Sequence, residues 1–269
     1  MCGHHDHSAT RPVIRASRRD LMRGIAGFGA ASLLAGCATN PETGRSQLLL
    51  IGDGELSQLS MQAWTDMKAK TPISRDAAAG ARVVRVGTKI QQAAGRGGEA
   101  WEFVVFDTKD LNAFVLPGGR VGVYRGMLDF VENDDQLAAI LGHETGHVTA
   151  HHAAERASQQ QVAGLGMTLG EAAMSGRGGS SSIGQLFGLG VQYGVLMPYG
   201  RLQESEADKL GVDYMYRAGY DVRQSIRLWE KMGQQGGSRP PEVLSTHPDP
   251  ANRMEALRAY INLKGYAKV

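Results

Sequence analysis

The stretch His143-Glu144-Thr145-Gly146-His147 constrains this chain more than any other. Two histidines four apart come onto one face only in an α-helix, where they stand one turn apart and their imidazoles can converge on a single metal ion. The glutamate between them then reaches a water on that ion. This makes Glu144 the candidate general base and His143 and His147 the candidate ligands. The surroundings suit a helix: from Asp134 to about Gln160 the chain is rich in Ala, Leu and Gln, contains no proline, and carries Leu137, Ile140 and Leu141 just ahead of the motif. One continuous helix over that span would hold His143, His147, His151 and His152. The motif is short, and two surface histidines are the ordinary alternative.

A catalytic zinc needs a third protein ligand. The metzincin pattern puts a histidine six residues after His147, with a glycine three residues before it, but those positions are Ala153 and Ala150. On a continuous helix, His151 would stretch the row of imidazoles over about 12 Å at roughly 1.5 Å per residue, too far for one tetrahedral ion. His151 and His152 are therefore expected to be solvated or to support a ligand from outside. A better candidate is Glu204 in Glu204-Ser205-Glu206-Ala207-Asp208, on a helix read from about Gly200 to Arg217. Glu204 and Asp208 share one face, so the first can bind the metal while the second accepts the free N–H of a ligand histidine. Glu206 points elsewhere. A solvent-exposed acidic stretch is the competing reading of these carboxylates.

Around these motifs the chain reads as mainly helical with a small sheet in the middle. Helical spacing covers 55–70 and 76–94. Strands are expected at Trp101 to Asp107, Asn112 to Leu116 and Arg120 to Tyr124, the last two joined through Pro117-Gly118-Gly119. Further helices are read from Val222 to Gln234 and after Pro250, whereas the glycine-rich segment 161–197 is expected to be a loop or flap beside the site. Composition narrows the function. Of 29 Lys and Arg, five (Arg11, Arg15, Arg18, Arg19, Arg23) lie in residues 1–36 against only Asp6 and Asp20, and the remainder is close to neutral. No basic run is left to neutralise a row of phosphates, so nucleic-acid binding is not expected. Cys2 and Cys37 are the only cysteines, which excludes a disulfide framework or a cysteine-rich zinc module.

Residues 1–36 read as an export signal. Arg18 and Arg19 precede Leu21-Met22 in twin-arginine-like fashion, and the short apolar run from Gly24 to Gly36 ends at Leu34-Ala35-Gly36-Cys37. That box resembles the lipobox of bacterial lipoproteins, which would make Cys37 the acylated first residue of the mature chain. The cluster around His4, His5 and His7 then belongs to a discarded leader. Residues 37–54 follow as a lipidated tether that docks onto a domain spanning 55–269.

HETGH, ESEAD, then Thr246-His247-Pro248 with Arg253 beyond it, together with the tether NPETGRSQ and Asn112-Ala113-Phe114-Val115-Leu116-Pro117-Gly118-Gly119, resemble the zinc metalloendopeptidase family of the HtpX, Oma-type and CAAX prenyl endopeptidases. The likeness is strongest to its LoiP/BepA-type lipoproteins, without the helical repeats of the BepA-like members or the membrane spans of the HtpX type. The resemblance implies an α+β, mainly helical zincin-like fold and one zinc ion per chain held by His143, His147 and Glu204. It implies Glu144 as the base, Asp208 as the partner of a ligand histidine, and His247 close to the metal, either donating to an oxyanion or occupying the open coordination position. Arg253 is expected to orient the site or to bind Asp208. The expected substrates are unfolded or misassembled cell-envelope proteins, cleaved on the periplasmic side of the envelope by a protein lipid-anchored in the outer membrane. The strand at 112–116 would pair with the extended substrate. A lipid-anchored chaperone or assembly factor with a latent or structural zinc site is the second reading, and Glu144, for which a structural site has no use, argues against it. Oligomeric state is not legible.

Overall fold

The computed structural model describes residues 37–175, 200–235, 247 and 250–266. The chain divides into Met1–Cys37 and Ala38–Val269, and the second unit holds every helix among the described residues. The export signal and lipobox lie outside the described residues, except for the backbone of Cys37. Two short strands, β1 (Cys37–Thr39) and β2 (Ser46–Leu48), pair with each other and precede helices α1 (Asp53–Lys70) and α2 (Ala77–Ala93). A three-stranded mixed sheet comes next, with β3 (Glu102–Phe106), β4 (Ala113–Leu116) and β5 (Arg120–Tyr124) in the order β3-β5-β4, parallel on one side of β5 and antiparallel on the other. Then come α3 (Arg125–Phe130), α4 (Asp134–Thr149), α5 (His152–Ser175), α6 (Arg201–Arg217), α7 (Arg223–Gly233) and α8 (Pro250–Lys264). The fold is thus α+β and mainly helical, with eight helices among the described residues.

Alternation along the strands explains why the sheet is covered on both faces. Ala113 and Val115 turn to one side with Val105, Val121 and Val123, into the main core with Val83, Val86 and Ile90 of α2 and Leu137 and Leu141 of α4. Phe114 and Leu116 turn to the other side with Phe106, where Trp64 of α1 closes the layer. The ring of Trp64 meets Phe106 edge-on at 5.6 Å, and its Nε1 donates to Glu102 at 2.7 Å. The β4–β5 turn needs positive φ at Gly118 (84°) and Gly119 (76°), and a side chain at Gly119 would run into Trp101.

Two expectations need correction. The helix read from Asp134 to about Gln160 is two helices, α4 and α5, separated at Ala150 and His151. His151 takes a left-handed φ of 55°, and the Nδ2 of Asn40 donates to the Ala150 carbonyl at 2.7 Å. A tertiary hydrogen bond from the tether therefore ends a helix that the local sequence favours continuing. The segment 161–197, expected to be a loop, is helical as far as Ser175; residues 176–199 lie outside the described residues. Among the described residues no helix is long and apolar enough to cross a membrane.

Candidate metal centre

Helices α4 and α6 supply the centre, and small residues let them approach. Gly142 and Gly146 on α4 face Gly211 and Ala207 on α6. A Cβ at Gly146 would stand 2.9 Å from the Ala207 carbonyl oxygen, and one at Gly142 the same distance from that of Gly211. Helices this close bring Glu204 directly against the histidines of the neighbouring helix. Helix α4 itself starts where the Asn133 side chain accepts from the Gln136 amide at 2.9 Å, with Asp134 and Asp135 in its positive first turn.

The buried His143, His147, Glu204 and His247 converge so that one donor atom from each lies within 4.8 Å of the others. His143 Nε2 is 3.1 Å from His147 Nε2 and 3.1 Å from His247 Nδ1. The Glu204 oxygens lie 3.5 Å from His143 Nε2 and 3.4 Å from His147 Nε2, and Oε1 lies 2.9 Å from His247 Nδ1. Tetrahedral coordination at about 2.0–2.1 Å gives ligand–ligand edges of about 3.4 Å, close to the 3.1–3.5 Å separations among His143, His147 and the Glu204 oxygens.

The hydrogen bonds of the outer ring nitrogens make the same point. Asp208 Oδ1 sits 3.0 Å from His143 Nδ1, so that nitrogen carries the proton and Nε2 presents a bare lone pair. Glu206 Oε2 lies 3.0 Å from His152 Nε2, which fixes the proton there, and burial lowers the pKa of His152 and keeps it neutral. His152 Nδ1 must then accept, and it does so from His147 Nδ1 at 2.9 Å, which leaves the Nε2 of His147 bare too. Two lone pairs thus face each other at 3.1 Å, a repulsive contact unless a cation lies between them. Burial also pushes the His147 pKa well below its usual value, as a neutral ligand requires.

Charge is balanced around this pocket. Burial raises the Glu144 pKa, although the neighbouring imidazoles of His247 and His143 oppose the rise, and its Oε1 stands 3.3 Å from His247 Nε2. Burial works against ionising Glu204 and Asp208 as well, but His247 and His147 for the first and Arg253 and His143 for the second win, and both carboxyls are held below their usual range. Arg253 of α8 binds Asp208 through Nε at 2.8 Å and a terminal nitrogen at 2.6 Å, reaches a Glu204 oxygen at 2.8 Å, and lies 3.7 Å above the Trp229 ring.

The structure therefore brings together His143, Glu144, His147, Glu204, Asp208, His247 and Arg253, while His151 turns away to Asp53 at 3.0 Å. Sequence reasoning set Glu206 aside and did not foresee its link to His147 through His152, because the link depends on the break at His151. It missed Trp229 altogether, a residue with no motif to mark it.

Residues 77–261 match the model of the family described as Peptidase family M48. Among curated proteins, the chain is 34% identical over 266 residues to "Metalloendopeptidase OMA1, mitochondrial" of Bos taurus, covering 91% of this chain and 50% of the relative. It is 34% identical over 183 residues to the "Mitochondrial metalloendopeptidase OMA1" of Schizosaccharomyces pombe, covering 66% and 52%. It is 28% identical over 233 residues to the "Beta-barrel assembly-enhancing protease" of Escherichia coli, covering 83% and 47%. The chain spans about half the length of these relatives.

Proposed function

The chain belongs to peptidase family M48, and from that premise we propose that it is a zinc-dependent metalloendopeptidase cleaving unfolded or misassembled cell-envelope proteins. The observation that carries the reading is the buried four-donor cluster of His143, His147, Glu204 and His247, with the carboxylate of Glu144 beside His247. His143, His147 and Glu204 would hold the zinc. The ion, when bound, supplies a Lewis acid and lowers the pKa of its water towards about 7. Glu144 takes the proton of the attacking water and delivers it to the leaving amine. Its burial suits this work, since a carboxylate whose pKa is raised is a stronger base than a solvated one. Asp208 keeps the His143 proton on Nδ1, and Arg253 holds Asp208 in place.

β4 is an edge strand of its sheet and packs on α4 near the centre. It supports a reading in which an extended substrate adds a strand there, bound through backbone hydrogen bonds with little sequence selectivity. The position of His247 Nδ1 among the donors supports a resting form in which His247 takes the open position. The assignment to the envelope, through a lipid on Cys37 and towards the outer membrane, rests on the lipobox sequence. The E. coli relative named for β-barrel assembly suits that setting, whereas the OMA1 relatives are named as mitochondrial.

The test is cleavage of an unfolded casein by the purified mature chain (residues 37–269), compared with Glu144→Gln and with chelator-treated protein. Cleavage by wild type, lost in both controls, is the expected result. Cleavage that persists in Glu144→Gln would overturn the metallopeptidase reading, whereas no cleavage by wild type carrying one equivalent of zinc would point to a latent enzyme or to a lipid-anchored holding protein.

A further inference from the structure

We propose that Arg45, in the tether ahead of α1, is a positioning residue for the metal ligand His147, acting through Glu206 and His152. The inference rests on reading the centre as a metal site. Arg45 grips two buried carboxylates at once. Its Nε and one terminal nitrogen reach the two Glu206 oxygens at 2.8 and 3.1 Å, and its terminal nitrogens reach the two Glu155 oxygens at 2.7 Å each. Gln203 adds a bond to Glu155 at 2.8 Å. Glu206 in turn receives the His152 proton at 3.0 Å, and His152 receives that of His147 at 2.9 Å. His147 is thus held in the same way as His143, by an arginine-clamped carboxylate. Arg253 and Asp208 hold His143 directly, whereas Arg45 and Glu206 hold His147 with His152 in between.

The tether is built to deliver Arg45 there. Between β1 and β2 the buried Asn40 accepts from the amides of Glu42 and Thr43 through its side chain, Gly44 turns with φ of 71°, and the Asn40 amide donates to the Arg45 carbonyl at 2.8 Å. The same Asn40 holds the Ala150 carbonyl at the α4–α5 break, which carries His152 round onto His147. Without Arg45, the carboxylates of Glu155 and Glu206 would face each other uncompensated. Glu206 would lose two charge-assisted bonds, and His152 would lose the partner that fixes its tautomer.

The test measures the zinc affinity of the purified mature chain (residues 37–269) by competition with a chromophoric chelator, the visible absorption of its cobalt-substituted form, and the melting temperature of the metal-free protein. Arg45→Gln is expected to weaken zinc binding about tenfold and to shift the cobalt bands, as loss of an outer partner of a metal-ligating histidine does. Arg45→Lys should restore only part of the affinity, because a compact ammonium cannot fork onto two carboxylates. In a Glu206→Gln background the further loss from Arg45→Gln should shrink, because the two residues act in series. Arg45→Gln with a lowered metal-free melting temperature but unchanged zinc affinity and cobalt spectrum would overturn the proposal and leave Arg45 as a fastening for the tether. His152→Gln probes the series with the tether intact, and unchanged zinc affinity there overturns it equally. A wild-type chain that takes up no metal would instead sink the metal reading of the centre, and this inference with it.

Discussion

Gly211→Ala tests whether the close crossing of α4 and α6 is what assembles the centre. A Cβ at Gly211 would stand 2.8 Å from the His143 amide nitrogen, 3.0 Å from the Gly142 carbonyl carbon and 3.1 Å from His143 Cα. All three are helix backbone atoms, so none can rotate away, and comfortable carbon contacts begin near 3.5 Å. The helices must therefore separate by about 0.5 Å. Alanine in place of glycine inside a helix contributes about 1 kcal/mol in its favour, while overpacking against a rigid partner costs typically 1–3 kcal/mol. With backbone on both sides the upper part of that range applies, and the variant should lose about 1–2 kcal/mol. Separation also moves His143 away from Glu204, and about 0.5 Å exceeds the roughly 0.2 Å tolerance of ligand distances, so metal affinity falls as well. The control is Gly80→Ala on α2, where nothing lies within 4 Å of the added Cβ and the helix preference acts alone, worth up to about 1 kcal/mol. Urea unfolding in chelator reads the packing term, and chelator competition reads the metal term. A Gly211→Ala protein as stable as Gly80→Ala, with wild-type metal affinity, would refute the reasoning.

Glu144→Gln keeps the shape of the side chain and leaves the ligands in place, so it should bind zinc like wild type while casein cleavage falls by about 10²–10⁴-fold or more; turnover near wild type would remove Glu144 from the reaction. Asp208→Asn leaves Arg253 with Glu204 as its remaining carboxylate and His143 with a neutral acceptor, and should weaken zinc binding about 10–100-fold in the competition assay, with equal affinity counting against its role. Glu206 has its pKa lowered to about 2 from 4.5, because its bonds to His152 and Arg45 outweigh the opposing effect of burial. A depressed carboxyl contributes stability that is complete above about pH 4.5 and is lost as the pH falls towards 2, by roughly 2 kcal/mol once solvent screening is allowed for. In chelator, Glu206→Gln should therefore flatten the decline of unfolding free energy between about pH 4.5 and 2.5; parallel curves would contradict it.

How much was legible in the sequence depends on how far each regularity reaches. The helix period fixes relations over four or five residues, which is why His143 with His147, and Glu204 with Asp208, read as pairs on shared faces. The strand spans were legible as short apolar runs, whereas the division of Ala113 and Val115 to one face and Phe114 and Leu116 to the other emerges only in the structure, because all four are apolar and buried. The period says nothing about what a distant segment does to a helix. No proline stands between Asp134 and Gln160, and Gly142 and Gly146 fall inside the first helix, yet Asn40 ends that helix at Ala150 from 110 residues away, and the row of histidines turns back on itself there. On the premise of one straight helix, His151 was excluded by its distance along the axis. The structure excludes it because it points to Asp53, while its neighbour His152 returns to touch His147. Glu206 shows the same limit. Its place two residues from Glu204 sets it on another face of α6, which from the helix alone looks like solvent. That face meets Arg45 and His152, so the three acids of one five-residue motif meet different sets of histidines: Glu204 meets His247 and both histidines of α4, Asp208 meets His143 at its other nitrogen, and Glu206 holds His152. Reading the motif alone finds the atoms that converge at the centre. The residues that hold those atoms in place come from the tether and from α8, whose distances in sequence carry no period.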